Sequence, residues 1–241
     1  MKKLHFKVID STNKYLKDNY QALDNMTFVS ANYQTNGRGR ESRIWISNKK
    51  ENLLFSVLIK DKELIEKYSS ISLLSGYVIF KVLRKLHIDN VSIKWPNDVY
   101  VKNKKICGIL MEGVSKDNGI EALIVGIGLN INQESFKNEP NATSIKQIKQ
   151  RKYFIHKIRK QVYKCLKLEL SLLKENKSNY LNEVRANNYL LNKEGLATIN
   201  GKQEIVKILD INEDNSLKVL LNEEIISLST GEISFHRTDN L

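Results

Sequence analysis

The sequence predicts an α+β fold: a mixed, mostly antiparallel sheet flanked by helices, followed by a small C-terminal all-β barrel. Three observations predict it. The run Asn52 to Lys60 is largely apolar, as in a strand of a sheet covered on a face. Ile106 to Val114 and Glu121 to Leu129 read as two strands joined through Lys116-Asp117-Asn118-Gly119, a hairpin signal. After about residue 188 the pattern changes to short strands separated by polar turns.

Taken in order, Leu4 to Ile9 reads as extended, and Asp10-Ser11-Thr12 supplies a helix N-cap for a helix to about Ala22. Met26 to Ala31 is a second strand. Tyr68 to Leu86 carries helical periodicity in Ile71, Leu74, Val78, Ile79, Val82 and Leu86. Val91 to Lys94 and Val99 to Val101 are short strands around Trp95-Pro96-Asn97-Asp98, where proline cannot continue a central ladder. Asn130 to Thr143 is polar and irregular. Tyr153 to Glu175 is a long amphipathic helix with Ile155, Ile158, Val162, Leu166, Leu170 and Leu173 as its buried stripe, and Tyr180 to Ala186 is a second helical stretch. Leu196 to Ile199, Ile205 to Asp210, Leu217 to Leu221 and Glu224 to Ser229 are the late strands. The expected units are therefore 1–188 and 189–241.

At 241 residues and 41% hydrophobic content, the chain can fill a core. No apolar run approaches the roughly 20 residues of a membrane span, and the basic start Met1-Lys2-Lys3 lacks the apolar stretch of a secretory signal. A cytoplasmic protein without membrane partners is expected. Cys107 and Cys165 lie in different elements, as suits a reducing compartment, and His5, His87, His156 and His236 show no metal-ligand spacing. The net charge of +12 favours anionic partners, yet the lysines are scattered rather than gathered on one base-reading helix. No specific DNA partner is expected.

The stretch Gly37-Arg38-Gly39-Arg40-Glu41-Ser42-Arg43-Ile44-Trp45 interleaves two glycines with three arginines. Glycine lets backbone pass close to a ligand, and arginine offers a fixed fork of donors for carboxylate or phosphate, so this loop is suited to closing over an anion. With Ser11-Thr12-Asn13 before it, and Lys94-Trp95-Pro96-Asn97-Asp98 and Lys105-Ile106-Cys107-Gly108-Ile109-Leu110 after it, the chain resembles biotin protein ligases. The resemblance runs from Phe6 to the closing Ser229-Thr230-Gly231-Glu232-Ile233-Ser234. It implies a catalytic domain of the biotin/lipoate ligase type. Because the first motif begins at Asp10, it implies the ligase-only form, without an N-terminal DNA-binding domain.

The resemblance implies an ATP-dependent reaction that makes biotinyl-5'-AMP and passes biotin to a lysine of a biotin carboxyl carrier domain, with ATP and Mg²⁺ as cofactors. Such chemistry holds two anions against each other and stabilises the charge added between them, which calls for cations rather than a side-chain nucleophile. Lys105, at the entrance of a strand, is the central cation by this likeness, Lys94 a second near the phosphates, and Arg40 a third. Ser11, Thr12, Asn13 and Gln34 would meet biotin's ureido ring, although Ser11 and Thr12 would serve equally as helix caps. Gly108 and Leu110 would form wall and floor. Arg38, Gly39 and Arg40 would close over the valeryl carboxylate and adenylate. Gly37, Trp45, Lys94, Asn97 and Asn130 would complete the nucleotide site, with Trp45 against adenine. Asp98 is a candidate Mg²⁺ ligand, and an Asn-Asp turn equally.

Two departures from the family stand out. Ser42 occupies the place of a third glycine, and His236 that of an arginine, with Arg237 next to it. Two other functions compete: a lipoate or octanoate ligase or transferase of the same superfamily, for which Cys107 would be the nucleophile, and a non-catalytic basic nucleic-acid-binding module. Cys107, between large neighbours, reads better as a small packed hydrophobe. Trp95 reads as core.

Overall fold

The computed structural model describes residues 2–116, 119–136, 139–199 and 201–230. His236 and Arg237 lie outside them, as do the turn residues Asp117 and Asn118. Seven strands, β1 (Lys3–Phe6), β2 (Phe28–Ala31), β3 (Asn52–Ile59), β4 (Val91–Lys94), β5 (Asp98–Val101), β6 (Lys104–Lys116) and β7 (Gly119–Asn130), form one sheet in the order β1-β2-β3-β7-β6-β5-β4. Only β1 and β2 run parallel; every other neighbour is antiparallel. The hairpin expected between β6 and β7 forms, with Lys116 opposite Gly119.

The helices are α1 (Thr12–Asn19), α2 (Lys62–Glu66), α3 (Tyr68–Lys85), α4 (Ile145–Lys149), α5 (Ile155–Lys174) and α6 (Tyr180–Ala186). Central α3 is buried on more than one side, through Ile71, Leu74, Val78, Ile79 and Val82 and also Leu73, Tyr77, Phe80 and Leu83, because it lies between the sheet and α5 and α6. On this face of the sheet α3 lies over β4 to β7 and α5 over β3, and the odd residues of β3 (Leu53, Phe55, Val57, Ile59) and of β7 (Leu123, Val125, Ile127, Leu129) join them in one apolar cluster. On the opposite face α1 covers only one end of the sheet, where Leu16 and Leu23 pack with Val29, Leu58, Ala122 and Ile124. An eight-residue helix is too short to persist alone. Its fully buried Leu16, worth roughly 1.5–3 kcal/mol of apolar burial, fastens it to the sheet.

Several boundaries differ from expectation, each for a local reason. β1 stops at Phe6, and Ile9 instead makes an isolated bridge with Gln34. α1 ends at Asn19 and a 3-10 turn over Tyr20–Ala22 carries the chain on. α5 starts at Ile155 rather than Tyr153, because the Asn132 side chain binds both backbone groups of Tyr153 and holds that residue in a loop. The short helices α2 and α4 escape prediction; each is a single turn capped by a side chain, Asp61 and Ser144 respectively.

The C-terminal strands β8 (Glu194–Ile199), β9 (Lys202–Ile211), β10 (Leu217–Leu221) and β11 (Glu224–Leu228) form a separate four-stranded antiparallel sheet. Its inward residues Val206, Ile208, Leu217 and Val219 join the main apolar cluster. Trp95 is buried as expected and pins the two sheets together: its indole Nε1 donates to the Asn215 carbonyl at 2.9 Å. The Asn215 side chain in turn accepts from the Tyr180 hydroxyl at 2.7 Å. Trp95→Phe removes the indole N–H together with one ring of a buried side chain and leaves the Asn215 carbonyl unpaired, so urea denaturation should show a loss of at least about 1–3 kcal/mol, the cost of an unsatisfied buried acceptor. A midpoint equal to that of the unsubstituted protein would show that this junction carries no stability.

Candidate active site

The two-residue period of the sheet writes the site. On the face opposite α3, antiparallel register sets three rows side by side: Leu58, Ile124 and Glu112; then Ser56, Gly126 and Leu110; then Leu54, Gly128 and Gly108. In the first row Leu58 and Ile124 lie beneath α1. Beyond it, small residues replace large ones and a cleft of about 850 Å³ opens. A β-carbon on Gly126 would overlap Asn13 Oδ1, and one on Gly128 or Gly108 would overlap the Trp45 indole. The three glycines are the hollow.

Lys105 reaches this hollow through a break in the period. β5 pairs Tyr100 with Lys105 and Val99 with Cys107, leaving Ile106 as an extra residue, a β-bulge. Ile106 and Cys107 therefore both face the core, and Lys105 shares the cleft side with Gly108. Its ammonium pairs with Asp98 at 2.7 Å and lies 5.7 Å from the centre of the Trp45 ring. The strand entrance is fixed from outside too: Lys105 N–H donates to the Asn141 carbonyl at 2.7 Å, and its carbonyl accepts from Thr143 N–H at 2.8 Å.

The end of the cleft beside α1 is a chain of buried polar groups. Ser11 caps α1, accepting from Lys14 N–H at 3.4 Å, and Thr12 N–H donates to Gln34 Oε1 at 2.7 Å. The Thr12 hydroxyl lies 2.6 Å from the Ser56 hydroxyl, which donates to Asn13 Oδ1 at 2.6 Å. Asn13 Nδ2 donates to the Leu110 carbonyl at 3.2 Å and to Glu112 at 2.8 Å. At the other end Asn130, 3% exposed, donates from Nδ2 to the Thr143 carbonyl at 3.1 Å, while its Oδ1 is buried without a partner.

The glycine-arginine loop is a miniature hairpin. Gly39 N–H donates to the Arg43 carbonyl at 2.7 Å, Arg38 bridges Ile44, and Trp45 N–H donates to the Gly37 carbonyl at 3.0 Å. At its tip Glu41 (φ 53°) and Ser42 (φ 61°) are both left-handed, as in the turns hairpins favour. Ser42 thus keeps a glycine-like conformation without being glycine, at a cost of about 1–2 kcal/mol. Arg40 spans the cleft, donating to Asn97 Oδ1 at 3.3 Å and to the Thr230 carbonyl of the C-terminal unit at 3.2 Å. Asn97 itself clamps β6, giving Nδ2 to the Ile109 carbonyl and taking Ile109 N–H on its own carbonyl, both at 2.8 Å. Lys94 Nζ lies 5.2 Å from the Tyr100 ring, which stacks on Tyr189.

The family model of the biotin/lipoate A/B protein ligases matches residues 5–132, more than half of the chain. The chain belongs to this family. Among solved structures it is similar over 98% of its length to the biotin protein ligase from Aquifex aeolicus in complex with biotin and ATP, covering 99% of that chain at 30% identity and a TM-score of 0.86. It is 40% identical over 124 residues to the bifunctional ligase/repressor BirA of Escherichia coli strain K12, a match over 52% of this chain and 39% of that protein. The biotin--[acetyl-CoA-carboxylase] ligase of Mycobacterium tuberculosis matches 88% of this chain and 79% of its own at 23% identity. The chain thus aligns with about two fifths of the length of the E. coli bifunctional relative.

For a member of this family, the cleft gathers nearly every residue singled out from the sequence: Ser11, Thr12, Asn13, Gln34, Arg38, Gly39, Arg40, Trp45, Lys94, Asn97, Asp98, Lys105, Gly108, Leu110 and Asn130. Gly37 is the exception. It is buried behind the loop, where a β-carbon would overlap the Trp45 carbonyl, so it shapes the hairpin from outside the cleft. Trp45 lies against Gly108 and Gly128. Sequence reasoning missed Ser56, Glu112, Gln133 and Phe136. Ser56, alone among apolar neighbours in β3, was the signal available for the first.

Cys107 is fully buried and faces the α3 core rather than the cleft, and burial pushes its thiol well above the ordinary range. A thiol so placed stays protonated and unreactive, which removes the nucleophile an octanoyl transferase would need. Titration of the folded protein with an aromatic disulfide at pH 8 should leave Cys107 unmodified, with labelling only on denaturation. Rapid labelling of Cys107 in the native state would reopen the transferase reading.

Proposed function

We propose that this chain is an ATP-dependent biotin–protein ligase. Biotin's carboxylate oxygen attacks the α-phosphorus of ATP, pyrophosphate leaves, and the resulting biotinyl-5'-AMP is held. A carrier lysine amine then attacks the acyl carbon, AMP leaves, and the amine gives up its proton. The observation that carries this reading is the order of groups along one cleft. Buried amides and hydroxyls lie at one end, Lys105 stands in the middle, and the unpartnered Asn130 acceptor lies beyond it. A ureido ring, an acyl phosphate and an adenine amino group are the chemistry such an order fits. Similarity to the biotin- and ATP-bound Aquifex aeolicus ligase supports it.

We assign Thr12, Asn13, Gln34 and Ser56 to the ureido ring, with Ser11 as the cap that orients α1. Gly108 and Leu110 follow as wall beside the acyl chain. Lys105 is the catalytic cation, since a fixed ammonium withdrawn from bulk water stabilises the charge that builds between carboxylate and phosphate. Asp98 holds that ammonium in place before the anions arrive. Lys94 lies on the phosphate side, Gly37, Arg38, Gly39 and Arg40 belong to the lid, and Trp45, Asn97 and Asn130 to the adenylate end.

Mg²⁺ neutralises phosphate charge and takes most of its ligands from phosphate and water. Among the described residues no group of three or more His, Cys, Asp or Glu side chains could hold a metal. Asp98, the carboxylate paired with the Lys105 ammonium, would hold such an ion directly or through water. We place the enzyme in the cytoplasm, where carboxylase carriers and ATP are available; no helix among the described residues is long and apolar enough to cross a membrane. The acceptor would be a lysine of a biotin carboxyl carrier domain. Mass spectrometry of that domain after incubation with enzyme, ATP, Mg²⁺ and biotin should show addition of one biotinyl group. Labelling by lipoate or octanoate instead would move the chain to another branch of its family.

Lys105→Ala should lower pyrophosphate release from biotin and ATP by about 10²–10³-fold with little change in thermal stability. A rate near that of the unsubstituted enzyme would remove Lys105 from its role. Arg40→Gly severs the link from the loop to Asn97 and Thr230 while leaving Lys105 in place. The reactive anhydride should then escape and label lysines of unrelated proteins, read by blotting a mixed lysate. Labelling confined to the carrier would contradict the assignment of Arg40 as a latch.

A further inference from the structure

Glu112 stands on β6 one row beyond Leu110, two residues past the Lys105–Leu110 stretch singled out from the sequence. Its carboxylate is four-fifths buried and works on two sides. Oε2 accepts from Asn13 Nδ2 at 2.8 Å, and Oε1 lies 3.6 Å from Arg38 Nη1 in the loop, with Lys17 Nζ at 4.0 Å. Asn13 is 4% exposed and wedged against Gly126, so its amide has two orientations available, differing by exchange of oxygen and nitrogen. Glu112 and the Leu110 carbonyl both accept only. Together they force Nδ2 toward β6 and turn Oδ1 to Ser56. Arg38 lines the cleft on one side and the space behind the loop, where Glu112 lies, on the other.

We propose that Glu112 is a positioning residue that serves both halves of the site. It sets the orientation of the Asn13 amide in the ring pocket and holds the first arginine of the lid over the cleft. One carboxylate thereby ties ring binding to lid closure. The inference rests on the biotin ligase reading above and adds to it a residue outside the cleft's lining.

The two roles separate by substitution. Glu112→Gln retains an oxygen that accepts from Asn13 but loses the charge that attracts Arg38, whereas Glu112→Leu loses both. Biotin affinity is measured by calorimetry and biotinyl-5'-AMP dissociation by stopped flow, on the full chain. Glu112→Gln should bind biotin within about twofold of the unsubstituted enzyme and release adenylate about threefold faster, as suits one partly exposed ion pair. Glu112→Leu should in addition weaken biotin binding about tenfold, because Asn13 loses its charged acceptor and its Nδ2 is left with only the longer bond to the Leu110 carbonyl. Combined with Arg38→Ala, Glu112→Gln should add nothing to adenylate release, since the pair is already broken. Equal biotin affinity for Glu112→Leu and the unsubstituted enzyme, equal loss in Gln and Leu variants, or additivity with Arg38→Ala would each overturn the proposal. Should the leucine variant fail to fold, the Gln and Arg38 comparison still decides the lid half. An unsubstituted enzyme that binds no biotin would instead sink the ligase reading, a separate outcome.

Discussion

The site depends on one constraint: three glycines on two adjacent strands deprive the sheet of side chains where α1 stops covering it. Gly108 faces Gly128 across the β6–β7 ladder, and Gly126 lies two residues along. Elsewhere on the same face the period supplies Leu58 and Ile124, which α1 buries. Continuing that apolar row would fill the cleft and leave no space for the Trp45 indole or the Asn13 amide, both of which lie where β-carbons would be. Glycine weakens a strand, and a central pair of strands tolerates three only because the opposite face is densely packed. Ile109, Val125, Ile127 and Leu129 supply that packing against the α3 side.

The electrostatic arrangement follows the same logic of preparation. Cations gathered in one cleft repel each other, and a site for anions must hold them apart until the anions come. Here Lys105 is held by Asp98, Arg38 by Glu112, and Arg40 by the neutral oxygens of Asn97 and Thr230. Each partner is an acceptor fixed on a strand or a tight turn. The cost of orienting the charges is therefore met on folding rather than during reaction, which is how preorganised groups lower a barrier more than mobile ones.

Most of the fold was legible because its periods are regular. The β3 run, the β6–β7 hairpin, α6 and β10 follow directly from alternation, turn residues and helical spacing. The short helices α2 and α4 were not, since a single turn gives no period to read and depends on one capping side chain. The parallel pairing of β1 with β2 was also hidden, because it joins Lys3 to Phe28 across α1, and alternation carries no information on direction. Within the site, the motif residues were visible as motifs, while Ser56 and Glu112 were not. Their roles come from register, which places Ser56 opposite Gly126 and sets Glu112 one row beyond Leu110.

Lys105 shows why register matters most. Strict alternation from Gly108 would put residue 106 in the cleft and Lys105 in the core, so alternation alone assigns Lys105 to the wrong face. The extra residue at Ile106 reverses the parity, and two structural features maintain it: the bridge from Lys105 to Ala142 outside the strand and the Asn97 clamp on Ile109 inside it. Removing the bulge would require Ile106 to leave the apolar core, where it is fully buried, and to enter a polar cleft. The apolar energy of one isoleucine thus holds the Lys105 ammonium on the cleft face, and the placement of the charge we propose as catalytic is enforced by hydrophobic packing on the other side of the sheet.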